Sequence, residues 1–432
     1  MNPIRAIVDT IKFPEDKTKE VIPLSLGDPT VFGNFKTPEL FVKAIKDNLD
    51  ALSCNGYVHS AGTVAARKAI AQRYSSEAAP LTSDDVVIAS GCSGALDLAI
   101  TVLCNPGSNI VIPKPAFALY ETLAVSKGCE AKFYPLLPEK SWEADLEALE
   151  ACIDSKTAAI VVTNPSNPCG SVYTKEHLCA ILAVAERHRV PIIADEIYGN
   201  MVFSGSTFHA MADLTDTVPI LSTGGIAKEF LVPGWRVGWV LVHDKKGAFA
   251  AIRDGLFKLS QLTLGANAIV QSALPAILAP EPGSGDAAAL EKFHTETVAQ
   301  LEENAAFTVE RMTGVPGLRV VEPQGAMYVM IGIDTAAFKD IADDVDFTQK
   351  LLTEESVFML PGQAFRMPMF ARIVFSVSAL RLSRWPRLIA LPPRGCLRAV
   401  VAARFATPTL APKAKLAEAY DRIIDFCKRH AA

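Results

Sequence analysis

Residues 157–199 read TAAIVVTNPSNPCGSVYTKEHLCAILAVAERHRVPIIADEIYG. Two apolar runs, Ala158 to Thr163 and Pro191 to Asp195, flank a stretch of helical texture. Both are apolar at consecutive positions rather than alternate ones, the pattern of strands covered on both faces. The same beat of short β-rich run and longer helical pattern extends outward. Val86 to Ala89, Asn109 to Pro113 and Glu130 to Tyr134 precede it, and Pro219 to Ser222 and Trp239 to His243 follow. Such alternation predicts an α/β fold, with a mostly parallel central sheet between helices on both faces. Polar residues just past these strands then collect at the sheet's carboxyl edge, where open α/β folds bind ligands.

The whole chain has 432 residues, 50% hydrophobic and 21% charged, with a formal net charge of -5. That composition belongs to a globular protein with a large core, and its mild acidity argues against a nucleic-acid binder that relies on bulk charge. The nine cysteines, at 54, 92, 104, 129, 152, 169, 179, 396 and 427, form no C-x-x-C pair, so neither a disulfide framework nor a zinc ribbon is expected. No apolar stretch reaches the ~20 residues of a membrane helix, and the amino terminus reads as neither secretory signal nor transit peptide. The expected location is the cytoplasm, without membrane or nucleic-acid partners.

Beyond a helical stretch from Ala288 to Met312 the texture changes. Strand-like Leu318 to Val321, GAMYVMIGI and Ala371 to Ser376, with helices at Phe347 to Glu355 and Lys413 to His430, predict a smaller α+β unit. Residues 1–50 are expected to join it, leaving 51–300 as the large domain and 301–432 as the small one. Between Ser356 and Ala417 there is no Asp or Glu, while eight arginines and two lysines give a charge of +10. Its centre, 378–404, reads as a basic insertion, exposed or poorly ordered.

Chemistry is densest in STGGIAKEFLVPGWRVGWV, Ser222 to Val240. Most lysines are solvated surface cations, but Lys228 sits among small and apolar residues that desolvate an ammonium and suit it to Schiff-base chemistry. Arg236, eight residues on, can hold an anion. In TNPSNPCGSVY two Asn-Pro pairs and a Gly make a turn that puts Asn167 at the sheet edge. In IIADEIYG, Asp195 ends an apolar strand beside Tyr198. Such a carboxylate can serve as a helix cap or ion-pair member, or can keep a pyridine nitrogen protonated.

In order and spacing Lys228, Arg236, Asn167, Asp195 and Tyr198 resemble the site of the pyridoxal-phosphate aminotransferases with the aspartate-aminotransferase fold, fold type I. The resemblance runs along nearly the whole chain, through LSLGDPTVFGN, NGYVHSAG, PAFALY, NPSNPCGSVY, ADEIYGNMVF, GGIAKEFLVPGWRVGW and GAMYVM, and is strongest toward the tyrosine-aminotransferase branch. It implies that Lys228 forms the Schiff base with pyridoxal 5'-phosphate and then carries the proton. Asp195 would pair with the ring nitrogen, and Tyr198 and Asn167 with the 3-oxygen. Gly91, Cys92 and Ser93, at the start of an apolar helix, would hold the phosphate with Arg236. Gly225 stands where many relatives have a Ser, and Ser222 is the candidate replacement. Phe117 would stack on the ring. Tyr57 would reach the phosphate of a neighbouring subunit, which implies a homodimer with shared sites. Arg372, with Asn167 and Gly27, would bind the substrate carboxylate, and Arg404 is a second, weaker match.

The implied function is transfer of an amino group from tyrosine or another aromatic or apolar L-amino acid to 2-oxoglutarate or pyruvate by a ping-pong cycle. A lyase or decarboxylase on the same fold, or a cofactor-binding protein without catalysis, are the alternatives. The seven histidines lack metal-ligand spacing, so no metal is expected.

Overall fold

The computed structural model describes residues 7–14, 19–30, 33, 35–376 and 412–432. The expected basic insertion, 378–404, and with it Arg404, lies outside the described residues.

A two-residue strand, β1 (Ile22–Pro23), opens the described fold. The central sheet follows: β2 (Val86–Ala89), β3 (Asn109–Lys114), β4 (Glu130–Leu137), β5 (Glu143–Ala144), β6 (Thr157–Thr163), β7 (Ile192–Asp195), β8 (Ile220–Gly225) and β9 (Gly238–His243). Their spatial order is β2-β9-β8-β7-β6-β3-β4-β5. The pairs β4–β3–β6–β7–β8 run parallel, while β9 is antiparallel to both its neighbours. Chain order reverses between β3 and β6, which makes their carboxyl ends a topological switch point and the place for a crevice.

β6 and β7 are buried along their apolar runs because helices cover both faces. Ile160, Val162, Ile192, Ala194 and Ile220 pack with Leu178, Ile181 and Ala185 of helix Lys175–His188. Ala159, Val161, Ile193 and Leu221 pack on the other side with Ala95, Leu96 and Ala99 of helix Gly91–Leu103. The run expected to end at Ser222 continues to Gly225, since Gly224 and Gly225 pair with Trp239 and Gly238 of β9. The long helix starts at Gly285 rather than Ala288, because the Ser284 side chain accepts from the Ala287 N–H and caps it there.

A second, antiparallel sheet of β10 (Leu318–Val320), β11 (Tyr328–Ile333), β13 (Leu360–Pro361) and β14 (Phe370–Val374) is ordered β10-β11-β14-β13. β1 lies apart from it, parallel to β12 (Val357–Phe358), so the chain's beginning is stitched to its last third.

Within that last third, Asp344 is fully buried. Its carboxylate accepts from the Gln363 N–H at 2.9 Å, the Gln363 side chain at 2.9 Å and the Met369 N–H at 3.0 Å, pinning the loop that leads into β14. Asp344→Ala strands all three donors and is expected to cost about 3 kcal/mol. Urea unfolding should show it as a lowered midpoint with unchanged slope.

Candidate active site

The carboxyl edge of the central sheet is built by register. Thr163, Asp195 and Thr223 are paired neighbours on β6, β7 and β8, so their side chains share one face. Asp195, 3% exposed, accepts hydrogen bonds there from the Tyr120 hydroxyl at 2.5 Å, the Ile197 N–H at 3.3 Å and the Cys92 thiol at 3.7 Å. Burial raises its pKa above the ordinary carboxylate value, against the pull of those donors and the Lys228 charge. Among the described residues no cation forms an ion pair with it.

Lys228 lies on the single helical turn Ile226–Glu229, directly after β8. Its Nζ donates to the Gly27 carbonyl at 2.5 Å and sits 6.0 Å from the centre of the Tyr198 ring. The Tyr198 hydroxyl is buried and lies 2.7 Å from that of Tyr328. Next to Lys228, the buried Glu229 accepts from Arg73 and Tyr74 at 3.0 Å each, which moors the lysine's turn to helix Val64–Tyr74.

Arg372, on β14, brings the second sheet to this edge. Its guanidinium is 5% exposed, donates to Asn167 Oδ1 at 2.9 Å and to the Ser25 carbonyl at 2.6 Å, and lies between the rings of Tyr328 and Phe365 at 4.6 and 4.7 Å. Its Nε has no partner, and no carboxylate among the described residues pairs with it. Burial therefore lowers its pKa, the mark of a cation whose counter-ion is not supplied by the protein.

The phosphate candidates form a third group. No side chain caps helix Gly91–Leu103 at Ser90, so its first turn offers free N–H groups. Arg236 donates to the Pro233 carbonyl at 2.9 Å and to the Ser90 carbonyl at 3.4 Å, which sets a guanidinium beside that helix start. Two positive features side by side suit an anion between them. Ser222 does not join this group. It pairs with Ala194, whose face packs under helix Lys175–His188, opposite Asp195 and Thr223. A Ser at 225 is no remedy, because a Cβ there would fall 2.8 Å from the Val237 carbonyl oxygen and 3.0 Å from Gly238 Cα.

Phe117 is half-buried and meets Tyr120 edge-on at 5.9 Å, which puts it one ring from Asp195. Tyr57 is 97% exposed and touches none of these groups within the chain. Sequence reading missed Tyr120, Tyr328 and Ser25. Tyr120 closes the PAFALY motif and Tyr328 lies in GAMYVM, yet nothing in either motif says which hydroxyl turns inward.

The family model for aminotransferase class I and II matches residues 19–384. The chain belongs to the class I and II aminotransferases. It is 47% identical to tyrosine aminotransferase of Mus musculus over 430 residues, covering 99% of this chain and 86% of that one. The Dictyostelium discoideum tyrosine aminotransferase is 44% identical, at 99% and 94% coverage. The crystal structure of tyrosine aminotransferase from Leishmania infantum superposes with a TM-score of 0.86 at 35% identity, over 100% and 97% of the two chains. This aminotransferase therefore has the expected fold and enzyme class, acting on amino acids and 2-oxo acids, and the lyase and non-catalytic alternatives are not favoured. Among the described residues no helix is long and apolar enough to cross a membrane, and no His, Cys, Asp and Glu cluster could hold a metal.

One neighbour of Asp195 gives a pH test. Desolvation pushes the Glu196 carboxyl up to about 7, although it accepts from the Met211 N–H at 3.0 Å. The folded protein keeps that proton while the unfolded chain, at its ordinary value near 4.5, releases it. Stability must then fall as pH rises from about 4.5 to 7, by an amount on the order of 2 kcal/mol. Glu196→Gln should remove this loss, so the variant's advantage in urea melts grows between pH 4.5 and 7.5.

Proposed function

We propose that this aminotransferase holds pyridoxal 5'-phosphate at the edge of β6, β7 and β8 and transfers an amino group from tyrosine or another aromatic or apolar L-amino acid to 2-oxoglutarate or pyruvate. One observation carries the reading: two opposite buried charges, Asp195 and Arg372, stand at the same edge, and neither has an ionic partner among the described residues. A cationic ring nitrogen at the first and a carboxylate at the second satisfy both.

When bound, the pyridine ring serves as an electron sink for the substrate's α-carbon. The chain's residues do the rest. Asp195 keeps the ring nitrogen protonated, with Tyr120, Cys92 and the Ile197 N–H orienting its carboxylate. Gly91, Cys92, Ser93 and Arg236 hold the phosphate, Phe117 covers the ring, and Tyr198 and Asn167 bond the 3-oxygen. Lys228 anchors the cofactor and moves the proton at the α-carbon. Its bond to the Gly27 carbonyl gives the ammonium a resting place beside the substrate pocket. Arg372 fixes the substrate carboxylate through the edge it does not share with Asn167 and Ser25.

The aromatic preference rests on the tyrosine aminotransferases to which the chain is similar. The reading also includes a cytosolic homodimer. The eight described cysteines are all free thiols. Tyr57 is exposed along with Leu52, Leu262 and Leu264, and the Ser60 and Ser260 hydroxyls, 2.9 Å apart, join the turn after Tyr57 to the end of helix Ala250–Ser260. Exposed apolar side chains of that kind favour burial against a second copy, into whose site Tyr57 would reach.

Purified protein should show a visible cofactor band that shifts on adding L-tyrosine, and a panel of amino donors against both oxo acids should rank aromatic donors first. Lys228→Ala should lose at least about a thousandfold in turnover. Normal turnover in that variant would remove Lys228 from the mechanism. For the dimer, Leu262→Glu is expected to shift sedimentation from dimer toward monomer and to loosen cofactor binding, whereas a wild-type monomer would end this part of the reading.

A further inference from the structure

Tyr328, at the start of β11, is 1% exposed and meets three residues of the site just described: Tyr198, Arg372 and Gly27. Its hydroxyl lies 2.7 Å from the Tyr198 hydroxyl. The face of its ring carries the Arg372 guanidinium at 4.6 Å. Its hydroxyl also abuts Gly27, the residue whose carbonyl receives Lys228, so closely that a Cβ on Gly27 would overlap it.

The proton count of the tyrosine pair sets a direction. Two phenols carry two O–H protons, and their mutual hydrogen bond uses one. Among the described residues the Tyr198 and Tyr328 hydroxyls have no other hydrogen-bond partner, and both are buried. A buried O–H without an acceptor is costly, so the second proton needs an acceptor from a ligand. If Tyr198 faces the cofactor's 3-oxygen, as the proposed function has it, Tyr198 donates outward and Tyr328 must donate to Tyr198. Hydrogen bonds in such a chain polarise one another, so the inner bond strengthens the outer one.

We infer that Tyr328 is a positioning residue with two separable jobs: its hydroxyl strengthens the bond that Tyr198 makes to the cofactor, and its ring face holds Arg372 in place for the substrate carboxylate. This rests on the proposed cofactor reading. The strengthened donor favours negative charge on the 3-oxygen. Without it the 3-oxygen is more basic, so the protonated chromophore would persist to higher pH.

Two variants separate the jobs in the full-length protein loaded with pyridoxal 5'-phosphate. Tyr328→Phe keeps the ring and removes the hydroxyl. Its visible absorption should titrate with a midpoint raised by roughly half a pH unit. Binding of 3-phenylpropanoate, an aromatic carboxylate without an amino group, should stay within about twofold of wild type by calorimetry, since the cation–π contact survives. Tyr328→Leu removes both and should raise the midpoint and also weaken that carboxylate about tenfold. A wild-type midpoint in Tyr328→Phe overturns the hydroxyl's role. Equal carboxylate affinity in the two variants overturns the ring's role. If the wild-type protein develops no pH-dependent visible band with the cofactor, the cofactor reading itself has failed, a result distinct from either.

Discussion

The hydrogen bond between Arg372 and Asn167, 2.9 Å long, joins two residues 205 positions apart. Asn167 lies in the turn after a strand of the central sheet, and Arg372 lies within the second sheet. The Ser25 carbonyl, just after a strand paired with β12, closes on the same guanidinium at 2.6 Å. Three distant stretches of chain therefore meet at one buried cation. Removing that cation from water is unfavourable, and two hydrogen bonds with two ring faces offset only part of the cost. The rest is left for a ligand, and this makes the junction a binding site as well as a structural contact.

Asp195 repeats the arrangement with the opposite sign. Strand register forces its side chain onto the face covered by helix Gly91–Leu103, where three donors orient it and no cation among the described residues forms an ion pair with it. A fold that buries two opposite charges without joining them to each other trades stability for a site that is polarised before its ligand arrives. Tyr198 and Tyr328 lie between these charges, and Lys228 reaches into the same space from the turn moored by Glu229.

Much of the fold was legible because both-face burial leaves a plain mark: runs such as IVVT and IIAD can be little else than interior strands. The same logic located Asp195 and Lys228, which follow or end such runs. The helices Glu39–Asp50, Val64–Tyr74, Ala250–Ser260 and Ala268–Leu278 were not placed in advance, since flanking helices lack so distinct a pattern. Ser222 illustrates the limit most clearly. Its distance from Lys228 along the chain is short, but one step of register turns it to the opposite face from Thr223.

Local sequence, then, determined which segments are strands, where the chemically active residues fall at their ends, and which family pattern they resemble, because each depends on neighbours a few positions away. Only tertiary structure decided that Tyr120 rather than another hydroxyl meets Asp195, that Tyr328 links Tyr198 to Arg372, and that neither buried charge has an ionic partner among the described residues. Those facts depend on contacts made across sheets and over long chain separations, where packing sets the direction in which a side chain turns.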